Sequence, residues 1–450
     1  MFKKLISVCL ALFLVLAALP ALAQGAQEDF AVQFANDMMS GEKNAELYDL
    51  FADEVKAQLS QEAFAAIWPN LTVLCGMFEE FGSLQTQEVS GLTVYLQRLN
   101  MAKQDLILQL VMNDAGKITG LNFVPAPPEE DAAPKSANLP EGIVEEAVTV
   151  GEGEWALPGT LTLPASGSTF KAVVLVHGSG PNDRDETVGS TKMFRDLAWK
   201  LAQNGIAVLR YDKRTFVHSS KFTPEIQSAF TVREEIVDDA LLAGKLLASD
   251  SRIDSKKIFL IGHSQGAMLG SRIVSESNGL YAGMVLISGT PLSLTDVIIA
   301  QNNDILSKLT EEQRAAEQPK LDAELQKLDA LTKMSAEEMK SVTVFGLPGY
   351  YLYEMQQYNP SALVLELKLP TLIMQGGKDF QVSVENGLDA WKKAVGEQDY
   401  VTYKLYPELN HPMMAYTGDP ALQYSLQEYN TPANMDETAI KDIIDWVTSH

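Results

Sequence analysis

Gly262-His263-Ser264-Gln265-Gly266 places a serine between two glycines. A serine hydroxyl can attack an acyl carbon only if a base takes its proton and an acid orients that base. The G-x-S-x-G pattern alone is weak, and its other reading is a structural Gly-Ser turn. Its setting strengthens it. An apolar run, Ile258 to Ile261, enters the motif, and a helical stretch, Ala267 to Val274, leaves it. A sharp strand-to-helix turn strains the serine and needs glycines on both sides. Ser264 would then project at the carboxyl edge of a sheet, where open α/β folds bind ligands.

The chain has five histidines. His263 lies inside the elbow, and its side chain cannot reach around its neighbour to serve Ser264 as base. His177 follows a strand-like run, His218 sits in a polar loop, and His450 is terminal. His411 is left. It follows the last strand-like run, Tyr400 to Leu405, and precedes a helical stretch, Glu437 to Val447. That position suits the base. The acid should follow Thr371 to Met374, and Asp379 is the one carboxylate in Gln375-Gly-Gly-Lys-Asp-Phe380. The chain order Ser264, Asp379, His411 differs from the orders of chymotrypsin and subtilisin.

A tetrahedral oxyanion needs two aligned N–H donors. Gln265, at the helix start, supplies one. The loop His177-Gly178-Ser179-Gly180-Pro181 supplies the other, with Ser179 as first choice and Gly180 beside it. His177 reads as a residue that shapes this loop. Two charged runs lie close by in the sequence. Asn182 to Glu186 could position substrate or bind calcium, but an internally paired loop around Arg184 is the simpler reading. Arg210 to Arg214 ends a strand and reads as structural hydrogen bonding, with Tyr211 or Arg214 as possible pocket residues. Gly180 and His263 complete the pocket candidates. Zinc-protease, phosphate-loop and dinucleotide patterns are absent, so no cofactor and no metal are expected.

The elements needed to hold these residues are legible over 141–450. A hairpin, Val144 to Val150 with Thr160 to Leu163, precedes buried strands at 173–176, 206–211, 258–261, 284–287 and 371–374. Helical stretches at 194–203, 232–248 and 267–275 alternate with them. Continuous apolar strands between helices imply a mostly parallel sheet covered on both faces. Residues 291–360 break the alternation and read as a helical cap, with Leu294 to Leu331 one long charged helical stretch.

The motifs His177-Gly-Ser-Gly-Pro-Asn-Asp-Arg-Asp-Glu186, Leu209-Arg-Tyr-Asp-Lys-Arg214, Gly262-His-Ser-Gln-Gly266, Gly376-Gly-Lys-Asp379 and Asn410-His411 resemble those of a known group. They are similar to secreted bacterial esterases grouped with the serine-aminopeptidase-like and dienelactone-hydrolase-like α/β-hydrolases. The resemblance implies an α/β-hydrolase fold and hydrolysis of small carboxylic esters through an acyl-enzyme, without a cofactor. Dienelactone hydrolases carry Cys where Ser264 stands. A peptidase acting on short peptides and a non-catalytic binding protein on the same fold are the alternatives.

Residues 27–125 read as a separate small α+β domain. Asp29 to Met39 and Asn44 to Leu59 have helical spacing, and Ser60 with Glu62 offers a helix start. Strand-like runs follow at 92–96, 105–111 and 118–123, with Asn113-Asp-Ala-Gly116 as a hairpin turn. The order of elements resembles the domain of unknown function found ahead of secreted hydrolases, a small cone similar to nuclear-transport-factor-2-like domains. A Pro, Ala and acid-rich linker, 126–140, joins the two domains.

At the start of the chain, Lys3 and Lys4 precede an apolar run from Leu5 to Leu19, and Ala21-Leu22-Ala23 is a small-x-small site. This reads as a signal peptide, 1–23, cleaved after Ala23 for export. The apolar run is shorter than the roughly 20 residues of a spanning helix, so no membrane partner is expected after cleavage. Cys9 would leave with the signal, and Cys75 would remain as a buried thiol without a disulfide partner. A net charge of −24 repels phosphate backbones, which argues against nucleic acid as a partner. It says nothing about the substrate or the oligomeric state.

Overall fold

The computed structural model describes residues 28–126 and 139–450, apart from 42, 57–58, 90–91, 102–104, 190, 419, 421, 426–427 and 430. The expected signal peptide and nearly all of the expected linker lie outside the described residues. The chain divides into two compact units that part near residue 137.

In the first unit, helix α1 (Glu28–Ser40) packs Phe34 against Phe51 and Phe64, and Phe30 against Tyr95. Short helices α2 (Asn44–Asp49), α3 (Asp53–Lys56), α4 (Gln61–Ala65) and α5 (Ile67–Cys75) follow. The expected continuous helix over 44–59 is interrupted at Phe51. There the backbone bridges to Ile118, through Ala52 N–H to Ile118 O at 2.9 Å and Ile118 N–H to Leu50 O at 2.9 Å. A tertiary hydrogen bond has replaced a helical one. Ser60 does cap a helix, accepting from Ala63 N–H at 3.2 Å. Four strands, β1 (Phe78–Val89), β2 (Leu92–Met101), β3 (Leu106–Asn113) and β4 (Ile118–Pro125), form an antiparallel sheet in chain order. Strand β1 was not foreseen, because its Glu, Gln and Gly residues hide the alternation.

The second unit holds an eight-stranded sheet. Its strands are β5 (Ile143–Val150), β6 (Leu157–Pro164), β7 (Phe170–Val176), β8 (Ile206–Tyr211), β9 (Ile253–His263), β10 (Gly283–Ile287), β11 (Thr371–Gly376) and β12 (Val401–Tyr406). The order across the sheet is β12-β11-β10-β9-β7-β8-β6-β5. The six strands from β12 to β8 are parallel, and the β5–β6 hairpin joins antiparallel at the β8 edge. Alternate residues of each central strand feed two cores. Ala172, Val174 and Val176 join the core under helices α7 (Asp238–Ser249) and α8 (Gln265–Glu276). Val173 and Leu175 join the core under α6 (Met193–Gln203) and the C-terminal helix α13 (Glu437–Ser449). A strand buried on both faces must be apolar throughout, which explains the unbroken apolar runs.

After β7 the chain moves to β8 on one side, and later to β9 on the other. The loops after β7 and β9 therefore leave the sheet at its topological switch point, where open α/β sheets form their ligand crevice. These loops carry His177–Gly180 and Ser264.

Residues 291–360 include helices α9 (Leu294–Lys308), α10 (Glu311–Leu331) and α11 (Gly349–Met355), followed by α12 (Pro360–Leu367). The single helical stretch expected over 294–331 is broken at Leu309-Thr310. Arg314 turns back there to donate to Leu306 O at 2.9 Å, beside the Leu309 N–H that the same carbonyl accepts at 3.3 Å. Leu331, Met339, Val344 and Leu352 form a small core of this segment's own.

Candidate active site

Ser264 sits at φ 52°, ψ −115°, between the end of β9 and the start of α8. Such a backbone costs a non-glycine residue about 1–3 kcal/mol, which the surroundings must offset. They do so by leaving no room for another path. A Cβ on Gly262 would lie 2.4 Å from Gly266 O, and one on Gly266 would lie 2.2 Å from Val176 O. The serine N–H is held by Ile287 O at 2.9 Å, and its carbonyl accepts from Ala267 and Met268 at 3.0 Å each. From Ile258 to Val274 every residue is buried except Ser264. Ser264 is thus the one residue of this connection that solvent reaches.

His411 donates from Nδ1 to Asp379 Oδ2 at 2.7 Å, and both side chains are buried. Asp379 Oδ1 accepts from Gln381 and Val382 N–H at 2.9 and 2.8 Å, and Oδ2 also accepts from Gln375 Nε2 at 2.8 Å. An acceptor-only carboxylate suits four such donors, and with the histidine N–H placed on Nδ1 the other ring nitrogen is left as a base. Gly376 and Gly377 make this loop possible. A Cβ on Gly376 would lie 2.4 Å from Leu409 O, and one on Gly377 would lie 2.5 Å from Pro407 O. Without side chains there, the 407–411 segment lies directly against the loop that carries Asp379. The His411 carbonyl accepts from Ser288 Oγ at 2.7 Å and from His263 Nε2 at 3.2 Å. The rings of His411 and His263 stand 4.7 Å apart, so the histidine packs on the residue before Ser264.

The β7 loop is tied at many points. Gly178 lies against Ser264, since a Cβ there would be 3.1 Å from that of Ser264. Its N–H goes to Glu186 Oε1 at 2.6 Å. Asn182 Nδ2 spans the carbonyls of Gly178, Ser179 and Gly180 at 3.1–3.3 Å. Ser179 and Gly180 are exposed, and the N–H groups of Ser179 and Gln265 meet no acceptor among the described residues. Gln265 is the first residue of α8, where helical N–H groups are unpaired by construction.

Three pocket candidates are engaged elsewhere. Tyr211 is 2% exposed, with its ring edge-on to His177 at 5.4 Å, and burial pushes its phenol well above the usual range. Arg214 pairs with Asp239 at 2.5 Å and lies over the Trp155 ring. His263 Nδ1 lies 3.0 Å from Glu186 Oε1, and both side chains are buried. Burial alone would raise Glu186 and lower His263, but their mutual attraction reverses both shifts. A strand end that packs against a loop has little choice but to spend its charges internally. Gly180 keeps an open position, at φ 86° with nothing near an added Cβ.

The two charged runs pair with each other. Arg184 binds Asp212 at 2.6 Å, and Arg210 binds Asp185 and Glu145. Asp183 accepts from Thr187 N–H and Oγ1. The calcium reading of 182–186 finds no support: among the described residues no group of carboxylates is arranged to hold a metal. His177 is buried between Phe194 and Tyr211, and burial pushes it down to about 4, so it stays neutral. His218 binds Ala156 O and the His450 ring packs on Trp446, so neither serves the site.

Sequence reasoning missed Lys213, Glu235 and Tyr351. Lys213 is 2% exposed and donates to Gly178 O at 2.8 Å and pairs with Glu235 at 2.7 Å. Tyr351, on α11, donates to Glu235 Oε2 and accepts from Gln265 Nε2, both at 2.7 Å. Lys213 stood in a run of five charged or aromatic residues with nothing to single it out. The π-turn Arg233–Val237 that carries Glu235 has no sequence signature.

A mostly parallel eight-stranded sheet, a strained serine at its switch point, and a histidine–aspartate pair beside it define the α/β-hydrolase class. A family model described as serine aminopeptidase, S33, matches residues 167–416. The chain is 32% identical over 424 residues to esterase EstD of Thermotoga maritima, covering 94% of this chain and 96% of that one. The chain belongs to this serine aminopeptidase S33 family of hydrolases and is esterase-like. A second model, of a protein family of unknown function (DUF3887), matches residues 31–121. Among solved structures, Est1E from Butyrivibrio proteoclasticus is 14% identical, covering 68% of this chain and 99% of its own, at a TM-score of 0.42. A proline iminopeptidase from Mycobacterium smegmatis is 16% identical, covering 68% and 98%, at a TM-score of 0.45.

Proposed function

We propose that this chain is an exported carboxylesterase that cleaves small acyl esters through an acyl-enzyme on Ser264. Ser264 Oγ bonds to the ester carbonyl carbon while His411 Nε2 takes its proton. Asp379 holds the imidazole in the tautomer that can do so. The oxyanion is received by the N–H groups of Ser179 and Gln265. Collapse of the tetrahedral intermediate breaks the ester C–O bond, and His411 returns the proton to the leaving alcohol. Water then attacks the acyl-enzyme, again through His411, and releases the acid and free Ser264.

The observation that carries this reading is the 2.7 Å His411–Asp379 pair packed on the residue before a strained, solvent-reached serine. The near full-length match to an esterase supports an ester over a peptide substrate. So does the state of the carboxylates around the triad. Glu186, Glu235 and Glu428 are each engaged, by His263, Lys213 and Asn410, which leaves them poorly placed to anchor a peptide's ammonium terminus. Ser264→Ala should abolish both p-nitrophenyl acetate hydrolysis and labelling by a fluorophosphonate. Hydrolysis retained in that variant would sink the proposal, and a wild-type protein that resists labelling would point to a binding protein. Export is tested separately, by finding Gln24 at the amino terminus of protein recovered outside the cytoplasm.

A further inference from the structure

Lys213 is among the largest fully buried side chains of the molecule. Taking an ammonium group out of water is costly, pairing offsets that cost only in part, and an apolar pair of the same shape is often as stable. The residue therefore calls for an explanation beyond packing.

Its contacts supply one. Nζ donates to Gly178 O at 2.8 Å. That carbonyl and the N–H of Ser179 belong to the same peptide unit. In a trans peptide the two point in opposite directions, so fixing one fixes the other. The carbonyl is turned to the ammonium, and the Ser179 N–H faces away from it. A cationic donor on the oxygen also draws electron density from the amide, which makes its N–H a stronger donor. On the other side of Gly178, its own N–H is given to Glu186. Both peptide groups flanking this glycine are thus clamped, and the glycine itself rests against Ser264.

Lys213 is in turn held by Glu235 at 2.7 Å. The second oxygen of Glu235 accepts from Tyr351, whose hydroxyl accepts from the Gln265 side chain. One buried carboxylate is therefore linked to both residues whose N–H groups are assigned to the oxyanion. Tyr351 comes from the segment inserted after β10, so this chain of bonds also connects that segment to the reaction centre.

We propose that Lys213 is a positioning residue of the oxyanion hole: held by Glu235, its ammonium grips the Gly178 carbonyl and so aims and strengthens the Ser179 N–H. The proposal rests on the reading of Ser264 as nucleophile and Ser179 as oxyanion donor. Lys213 touches no reacting atom. It contributes only when charge develops on the substrate oxygen, so it should change kcat and leave KM nearly alone.

Three variants of the full chain separate this role from simple charge balance: Lys213→Met, Glu235→Gln, and the two combined. If the pair only neutralised itself, the double variant would recover both stability and activity. On the proposal, the double variant recovers thermal stability relative to Lys213→Met but stays slow. Its kcat on p-nitrophenyl acetate should fall by about 10- to 100-fold, with KM within about 3-fold of the wild type. A trifluoromethyl ketone, whose adduct on Ser264 carries an oxyanion, should lose affinity by the same factor. An amide analogue of the substrate, which stays planar, should bind as before. A double variant with wild-type kcat would overturn the proposal, and so would equal losses of affinity for ketone and amide. If neither methionine variant folds, Lys213→Arg decides, because it keeps the charge but displaces the donor: reduced kcat at constant KM supports the proposal and unchanged kcat overturns it. Fluorophosphonate labelling of the wild-type Ser264 keeps the two levels apart. Labelling with indifferent Lys213 variants removes only this proposal, while absence of labelling removes the reading beneath it.

Discussion

Replacing Asp379 by asparagine exchanges one carboxylate oxygen for an amide NH2 and leaves the shape of the side chain unchanged. The structure decides which oxygen is replaced. Oδ1 accepts from two backbone N–H groups, those of Gln381 and Val382. An asparagine must keep its oxygen there, because turning the NH2 toward them would leave two buried donors unmatched, at about 1–3 kcal/mol each. The NH2 therefore replaces Oδ2 and faces His411 Nδ1 at the 2.7 Å site. It can only donate. His411 must answer with a bare Nδ1 and carry its proton on Nε2, so it can no longer take one from Ser264. The same NH2 also meets the Gln375 donor, which loses that acceptor and keeps Val382 O at 3.0 Å. The expected loss in kcat is about 10⁴-fold, or about 5.4 kcal/mol of barrier. KM should change little, since the defect is confined to proton transfer. Initial rates on p-nitrophenyl acetate at pH 7.5 measure it, with circular dichroism to show that the fold is kept. A folded Asp379→Asn enzyme within about 10-fold of wild type would refute the assignment of both Asp379 and the tautomer.

Further outcomes follow from other parts of the structure. Gly266→Ala would press a methyl 2.2 Å from the backbone oxygen of Val176, which cannot yield, so thermal melts should show a loss of roughly 4 kcal/mol or a failure to fold. Gly180→Ala has open space at φ 86° and should cost only about 1–2 kcal/mol, which the same melts would resolve. His177 titrates near 4 when folded and near 6.5 when unfolded, so protons bind the unfolded chain first as pH falls. Its contribution is intact above about pH 6.5 and is lost progressively down to about pH 4, by about 3 kcal/mol in all. His177→Phe keeps a ring against Phe194 and Tyr211 and should remove that part of the acid sensitivity in urea titrations at pH 7 and 4.5. Tyr351→Phe deprives Gln265 and Glu235 of a buried partner, and its denaturant midpoint should fall by the equivalent of about 1–3 kcal/mol.

The fold was legible where local and global demands coincide. Runs such as Val173 to Val176 are apolar because both faces of a central strand are buried, and no other element of that length needs to be. Strand β1, with its Glu and Gln residues, carried no such signal, and the helix expected over 44–59 gave way to a bridge with Ile118 that only the folded chain can offer.

The glycines of the 262–266 elbow and of 376–377, and Ser264, Asp379 and His411 as candidates for nucleophile, acid and base, were readable from the sequence alone. Each answers a local requirement: a turn too tight for a Cβ, or a group able to attack, accept or orient a proton. What the sequence could not show is how charges are spent. His263, Tyr211 and Arg214 had the right chemistry for a pocket, and tertiary packing committed them to Glu186, His177 and Asp239 instead. Lys213 had no mark in the chain, yet folding buries it against the Gly178 carbonyl. Ion pairs and hydrogen bonds form between whichever elements the sheet brings together, over separations of tens to more than a hundred residues. Local spacing carries no record of them, so the partners of a charged side chain are decided only by the tertiary structure.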